Sequence, residues 1–108
     1  MRADVIEEIR RRVESGAFRV SDHAQGRLDE RGLSITEILA SVDSWSIIET
    51  YSDERMGPSL LAKHDLPAGP IHAVWGMITR NAEHAVLVTV YVPDKEKWNE
   101  QFTIRRKA

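Results

Sequence analysis

The spacing of apolar residues changes once along this chain, close to residue 44. Before that point it follows the 3.6-residue helical period, and after it the two-residue period of a strand. Val5, Ile6, Ile9 and Val13 fall on one face of a helix running from about Asp4 to Glu14, which Ser15-Gly16 stops. "AFRV" (17–20) reads as a short extended connection. A second helix opens at Ser21 or Asp22, either of which can cap it, and ends at Gly32, a residue free to take the left-handed conformation. Ser34 and Glu37 have the spacing of a capping box for a third helix, whose Ile35, Ile38, Leu39 and Val42 face the core.

Beyond Asp43-Ser44, "WSIIETY" (45–51), "SLLAKH" (59–64), "IHAVWGMIT" (71–79) and "VLVTVYV" (86–92) read as strands separated by Gly, Pro or polar turns. Their short connections predict an antiparallel meander, and Pro93 ends it. "DKEKWNEQF" (94–102) offers a terminal helix or turn with Trp98 and Phe102 folded back onto the core. The expected architecture is one α+β domain over 1–108, with N-terminal helices on one face of a four-stranded antiparallel sheet.

Register follows from the same alternation. Val86, Val88, Val90 and Val92 share one face of the last strand, and Ile71, Ala73, Trp75 and Met77 share one face of its neighbour. Burying both rows against the helices pairs odd positions with even ones, and puts His72, Thr89 and Tyr91 together on the opposite face. A bulge in "RNAEHA" (80–85) is where such a register is expected to slip.

Composition narrows the class without naming a function. The 108 residues are 42% hydrophobic and 30% charged, as in a folded water-soluble domain, and contain no cysteine for disulfides or thiolate metal sites. The stretch "MRADVIEEIRRR" lacks the apolar core of a secretory signal and no apolar run has membrane-spanning length, so the expected setting is the cytoplasm, with no membrane partner. A net charge of −2 speaks against a general nucleic-acid binder. The two halves differ, with 7 Lys/Arg against 12 Asp/Glu up to residue 54 and 8 against 5 beyond it.

The second helix is unusual in having so thin an apolar face: Ala24 and Leu28 alone. Beside them His23, Arg27 and Arg31 line up at i, i+4 and i+8, with Glu30 adjacent. An imidazole can give or take a proton near neutrality, and a guanidinium can grip a phosphate through two parallel hydrogen bonds. With so little apolar surface, the helix is expected to pack partly through this polar stripe, leaving the three side chains partly buried. The same pattern also describes a solvated face with an Arg27–Glu30 pair. Likewise His72, Thr89 and Tyr91 fit either an acid–base site or an ordinary polar sheet face. His64 and His84 fall near strand ends, where exposure is expected. No histidine pair has metal-ligand spacing, and no glycine loop of the phosphate-binding kind is present.

Taken in order, "FRVSDHAQGRLDERGLSITEI", "PSLL", "IHAVW" and "VTVYVPDKEKW" resemble a family of small prokaryotic proteins known as a domain of unknown function. Its pattern is a His-Ala-x-x-Arg-x-x-Glu-Arg-Gly helix, an Ile-His-x-Val strand, and Thr-Val-Tyr-x-Pro-Asp followed by Trp. The resemblance spans residues 18 to 102 and extends to the RelE/ParE-like toxins and the barnase–EndoU–colicin–RelE group of ribonucleases. It implies a RelE-like α+β fold, metal-independent RNA cleavage without a cofactor, and a zinc-ribbon antitoxin as partner. By motif it implies His23, Arg27, Arg31, His72, Thr89 and Tyr91 as catalytic positions. The slight acidity of this chain departs from the usual basicity of such toxins. The function expected is a toxin-type ribonuclease acting on RNA by general acid–base catalysis. The alternative is a non-catalytic protein-interaction domain, homodimer included, that keeps the same fold.

Overall fold

Helix α1 (Ala3–Glu14) buries Ile9 and Val13, the inward positions of its stripe. Its charged side is laced by Glu8 to Arg12 and Glu14 to Arg10 pairs, each at 2.8 Å. The computed structural model describes residues 3–52, 57–77 and 83–106. Strand β1 (Phe18–Val20) follows, then α2 (Asp22–Arg31) and α3 (Ile35–Ala40). A single 3₁₀ turn at Val42–Ser44 leads into β2 (Ser46–Tyr51), β3 (Ser59–Leu66), β4 (Gly69–Met77) and β5 (Ala85–Tyr91).

The chain is an α+β domain, but its sheet is mixed and five-stranded, in the order β1-β5-β4-β3-β2. The four expected strands form the antiparallel meander. The fifth is the segment read as a connection: Phe18–Val20 pairs parallel with Ala85–Leu87. Three residues carry too short an alternation to announce a strand. Backbone bonds from Ala85 N–H to the Ala17 carbonyl (2.9 Å) and from Ser21 N–H to the Leu87 carbonyl (3.1 Å) fasten its two ends. Residues 78 and 79, expected to extend β4, lie outside the described residues, as does most of the connection after them.

All three helices cover one face of the sheet. There Ile9, Val13, Ala24, Leu28 and Ile38 meet Leu60, Ala62, Ile71, Ala73, Trp75, Leu87 and Val90. Trp75 is fully buried and meets the edge of Phe18 at 5.9 Å between ring centres. The Trp75 row therefore faces the helices as its alternation predicts. The valine row does not follow. β4 and β5 pair Val74 with Thr89 but Trp75 with Leu87, so Val88 is an extra residue in a bulge. Beyond it the side-chain alternation is reversed: Leu87 and Ala85 take the inward places and Val88 is exposed, while Val92, past the end of β5, is exposed as well. Of the four valines, Val90 alone is fully buried. The slip thus falls within the strand; residues 80–82 of the connection, where it was expected, lie outside the described residues.

The bulge is held from outside the sheet. Ser21 caps α2 by accepting from the Ala24 N–H at 3.0 Å, and its hydroxyl donates to the Val88 carbonyl at 2.8 Å. One side chain thereby starts the helix and docks it on β5. Ser21→Ala removes both bonds, and a lost cap typically costs about 1 to 2 kcal/mol. Urea denaturation should show that loss, whereas Ser21→Thr, which keeps the hydroxyl, should retain most of the parent's stability.

His64 corrects another expectation. It is fully buried, not exposed, because β3 runs two residues further than its sequence pattern indicates and places this ring inside the sheet. Trp75 Nε1–H donates to His64 Nε2 at 3.1 Å, so the ring proton sits on Nδ1, 2.9 Å from the Ser41 hydroxyl. Ser41 in turn donates to the Ile38 carbonyl at 2.7 Å. A Trp-His-Ser chain therefore joins sheet to α3 with every polar atom satisfied. Burial pushes the His64 imidazole down to about 4, so it stays neutral.

The opposite face is covered too. Residues 94–106 form turns closed by a Trp98–Arg105 bridge, where a terminal helix or turn was expected. Trp98 is buried against His72, edge to face at 4.5 Å. Arg105 lies over the Trp98 ring at 4.7 Å and grips Glu49 bidentately at 2.7 and 3.1 Å.

Candidate functional site

Local sequence explains how the polar stripe of α2 is presented. Ser21 begins the helix beside the β5 bulge, and Gly32, with φ +62°, ends it where a residue with a Cβ would be strained. Ala24 and Leu28, 0% and 4% exposed, supply all the burial, because alanine lets the helix approach the sheet closely. The two ends of the stripe beside them, His23 and Arg31, are thus free of packing duty. His23 and Arg31 are exposed, Arg27 is half-buried and 3.4 Å from Glu30, and Arg31 has no polar partner among the described residues. The partial burial expected of all three holds for Arg27 alone.

The two sets of residues meet at Thr89. Its side chain points to the polar face of the sheet, but β1 ends opposite Leu87, leaving this part of β5 an open edge. His23 reaches Thr89 Oγ1 at that edge with Nε2, at 3.0 Å. Two residues on, Tyr91 occupies the next position of the same face and is paired with His72 across the ladder. Tyr91 OH and His72 Nδ1 are 3.0 Å apart, and His72 Nε2 is 2.7 Å from the Phe102 carbonyl. A carbonyl can only accept, so Nε2 carries the ring proton and the tyrosine hydroxyl donates to Nδ1. In sequence along one strand, then, lie a helix-borne imidazole on a threonine and a tyrosine on a buried imidazole.

Electrostatics separates the two histidines. His72 is fully buried between Tyr91, Trp98 and the Phe102 backbone. Burial lowers its pKa, opposed by the Phe102 carbonyl and assisted by the nearby Arg105 and Lys63 charges. Tyr91 is shifted the other way, upward, again mainly by burial. Both are therefore neutral near pH 7, with the His72 ring nitrogens committed to Tyr91 and to the Phe102 carbonyl. His23 alone of the two is open to an incoming molecule. On the same face Glu49 is lowered by its bonds to Arg105 and Tyr51, and burial with the Glu49 bond pushes Tyr51 up to about 12. These residues belong to the clasp of the C-terminal segment. Among the described residues, no three His, Asp or Glu side chains gather closely enough to hold a metal ion.

The participation of Phe102 and Trp98 in holding His72 escapes sequence reasoning. Nothing in a turn-rich tail reveals that a backbone carbonyl there serves a histidine thirty residues earlier. Phe102, with φ +58°, is the one described non-glycine residue in the left-handed region.

Three helices over one face of a mixed sheet, with a helix-to-strand polar seam along β5, define a small α+β domain. Residues 20–92 match the family described as a domain of unknown function, DUF4258, and the chain belongs to that family. The match takes in all of α2 and the His72, Thr89 and Tyr91 positions. No curated protein and no solved structure matches the chain. No helix among the described residues is long and apolar enough to cross a membrane.

Proposed function

We propose that this domain is a RelE-like, toxin-type ribonuclease that cleaves RNA without a metal, with His23 as its proton-transfer group. The observation that carries this reading is the His23–Thr89 contact, which fixes an exposed imidazole at a sheet edge, on the helix face that also carries Arg27 and Arg31. In the reaction, His23 takes the proton of a ribose 2′-hydroxyl as its oxygen attacks the neighbouring phosphorus. The bond to the 5′-oxygen breaks, that oxygen takes a proton from water, and a 2′,3′-cyclic phosphate remains. Arg27 and Arg31 bind the phosphate and offset the charge that builds on its oxygens. Thr89 orients the His23 ring. His72 is a positioning residue, which holds the Tyr91 hydroxyl and stiffens the strand that carries Thr89.

One observation favours the other reading, a non-catalytic interaction domain. The stronger hydrogen-bond network, around His72, is sealed beneath residues 94–106 and serves the fold. In that case α2 and the exposed Val88 and Val92 are contact surface for a protein partner, whether a zinc-ribbon antitoxin or a second copy.

Incubating purified protein with several labelled RNAs in excess chelator separates the two. Cleavage that persists in chelator and leaves cyclic phosphate ends supports the ribonuclease. Intact RNA under all these conditions, from protein freed of any partner, sinks it in favour of the interaction domain.

A further inference from the structure

Residues 21–23 meet β5 at three consecutive positions. Ser21 N–H donates to the Leu87 carbonyl at 3.1 Å and the Ser21 hydroxyl to the Val88 carbonyl at 2.8 Å, while His23 Nε2 lies 3.0 Å from Thr89 Oγ1. A regular strand cannot be met in this way, because its successive carbonyls point in opposite directions, as do its side chains. The extra residue at Val88 removes the obstacle. It turns the Leu87 and Val88 carbonyls to the same side, where one serine takes both.

The bulge also decides which way Thr89 points. Leu87 is fully buried against the helices, so an unbulged strand continuing from it would carry Val88 outward and Thr89 into the core. With Val88 interposed, Val90 is the next buried residue, and Thr89 and Tyr91 fall on the polar face. Only this register offers the Thr89 hydroxyl to His23. Ser21 stands two residues before His23 and bonds the residue before Thr89, so its hydroxyl fixes both halves of the contact.

We propose that Ser21 is a positioning residue for His23, clamping the Val88 bulge to the start of α2 and so setting the imidazole on Thr89. The consequence for cleavage rests on the ribonuclease reading; the placement of the ring does not. A hydroxyl suits the task because it has one proton to give and lone pairs to accept with. Ser21 uses both, accepting from the Ala24 N–H at 3.0 Å while donating to Val88. Other good caps do half of this. Aspartate accepts from the helix N–H as well as serine does, but its carboxylate has no proton for the Val88 carbonyl. Glycine is a tolerated cap with no side-chain bond to offer.

The contact is read directly, in the intact protein, from the nuclear Overhauser effect between the His23 ring and the Thr89 methyl group. Parent and Ser21→Thr should show it. Ser21→Asp and Ser21→Gly should lose it while circular dichroism reports an unchanged helix content. In the cleavage assay these two variants should lose about a hundredfold in kcat, the scale of a misplaced reacting group, with KM unchanged because Arg27 and Arg31 remain. Ser21→Thr should restore the rate. An aspartate variant that keeps the contact would overturn the assignment, as would a threonine variant that lacks it. So would loss of the contact only together with loss of helix in both the aspartate and glycine variants, since Ser21 would then do no more than start α2. A parent that shows the contact and its loss on substitution, but cleaves no RNA, upholds Ser21 and removes the ribonuclease. Cleavage that needs His23 yet is unchanged in Ser21→Asp and Ser21→Gly does the reverse.

Discussion

Alanine at position 23 is expected to lower RNA cleavage by about a hundred- to ten-thousand-fold, the usual cost of removing one acid–base group. The loss should appear in the cleavage step and not in RNA affinity, because Arg27 and Arg31 remain to hold the phosphate. The fold should survive. His23 is exposed and contributes one hydrogen bond, to Thr89, so the melting temperature should stay close to that of the parent. Thr89→Val keeps the shape of the side chain and removes the hydroxyl, leaving the His23 ring unrestrained; Thr89→Ser restores the bond. An intermediate defect in the first and recovery in the second would identify orientation of the imidazole as the job of Thr89. His84→Ala serves as a control for loss of a histidine remote from the seam. If the His23 and His84 variants cleave at the same rate as the parent, the assignment of His23 is wrong even though the protein is a nuclease.

Acid is expected to destabilise the fold through His64. Its folded-state pKa is pushed down to about 4 by burial, from an ordinary value of 6.5. The unfolded chain therefore binds a proton below pH 6.5 that the folded one refuses until about pH 4. The stabilisation is fully present above 6.5, falls as the pH is lowered through the window between these values, and changes no further below it. One pKa unit corresponds to about 1.4 kcal/mol, so a shift of this size is worth on the order of 3 kcal/mol, a large share of the stability of a small domain. His72, lowered in the same direction by burial, adds to the slope. Urea denaturation between pH 7 and 4 measures the loss. A His64→Gln variant should be less stable at pH 7, since a planar amide replaces only part of the Trp75–Ser41 chain, but should show a shallower pH dependence. A parent protein equally stable at pH 7 and pH 4.5 would contradict the buried, neutral state of this ring.

The three helices and the meander were legible because each has a local cause. Ser21 and Gly32 bound α2, Ser34 opens α3, and period-two alternation marks the four longer strands. That His72 shares a face with Thr89 and Tyr91 also followed from alternation, since burying the Trp75 row allows no other parity there. So did the two polar sets, His23, Arg27 and Arg31 on the helix and His72, Thr89 and Tyr91 on the sheet. Local pattern could not say whether they meet, because that depends on where the open edge of β5 begins.

Tertiary structure decided the rest, each time through a contact between distant segments. The strand at Phe18–Val20 exists because the backbone of Ala85–Leu87 needs partners, a requirement with no trace in three residues of sequence. The bulge at Val88 places Leu87 against the helices and Val88 in solvent: the core takes the larger side chain, and Ser21 takes up the displaced Val88 carbonyl. His64 and His72 look alike as polar residues in apolar strands. Trp75 and Ser41 make one a core residue, and Tyr91, Trp98 and the Phe102 carbonyl make the other the anchor of the tail. The sequence by itself determined which side chains each element could offer. Only packing determined that, of the offered histidines, His23 stays open and reaches Thr89, because burial depends on which other segments arrive to cover a residue.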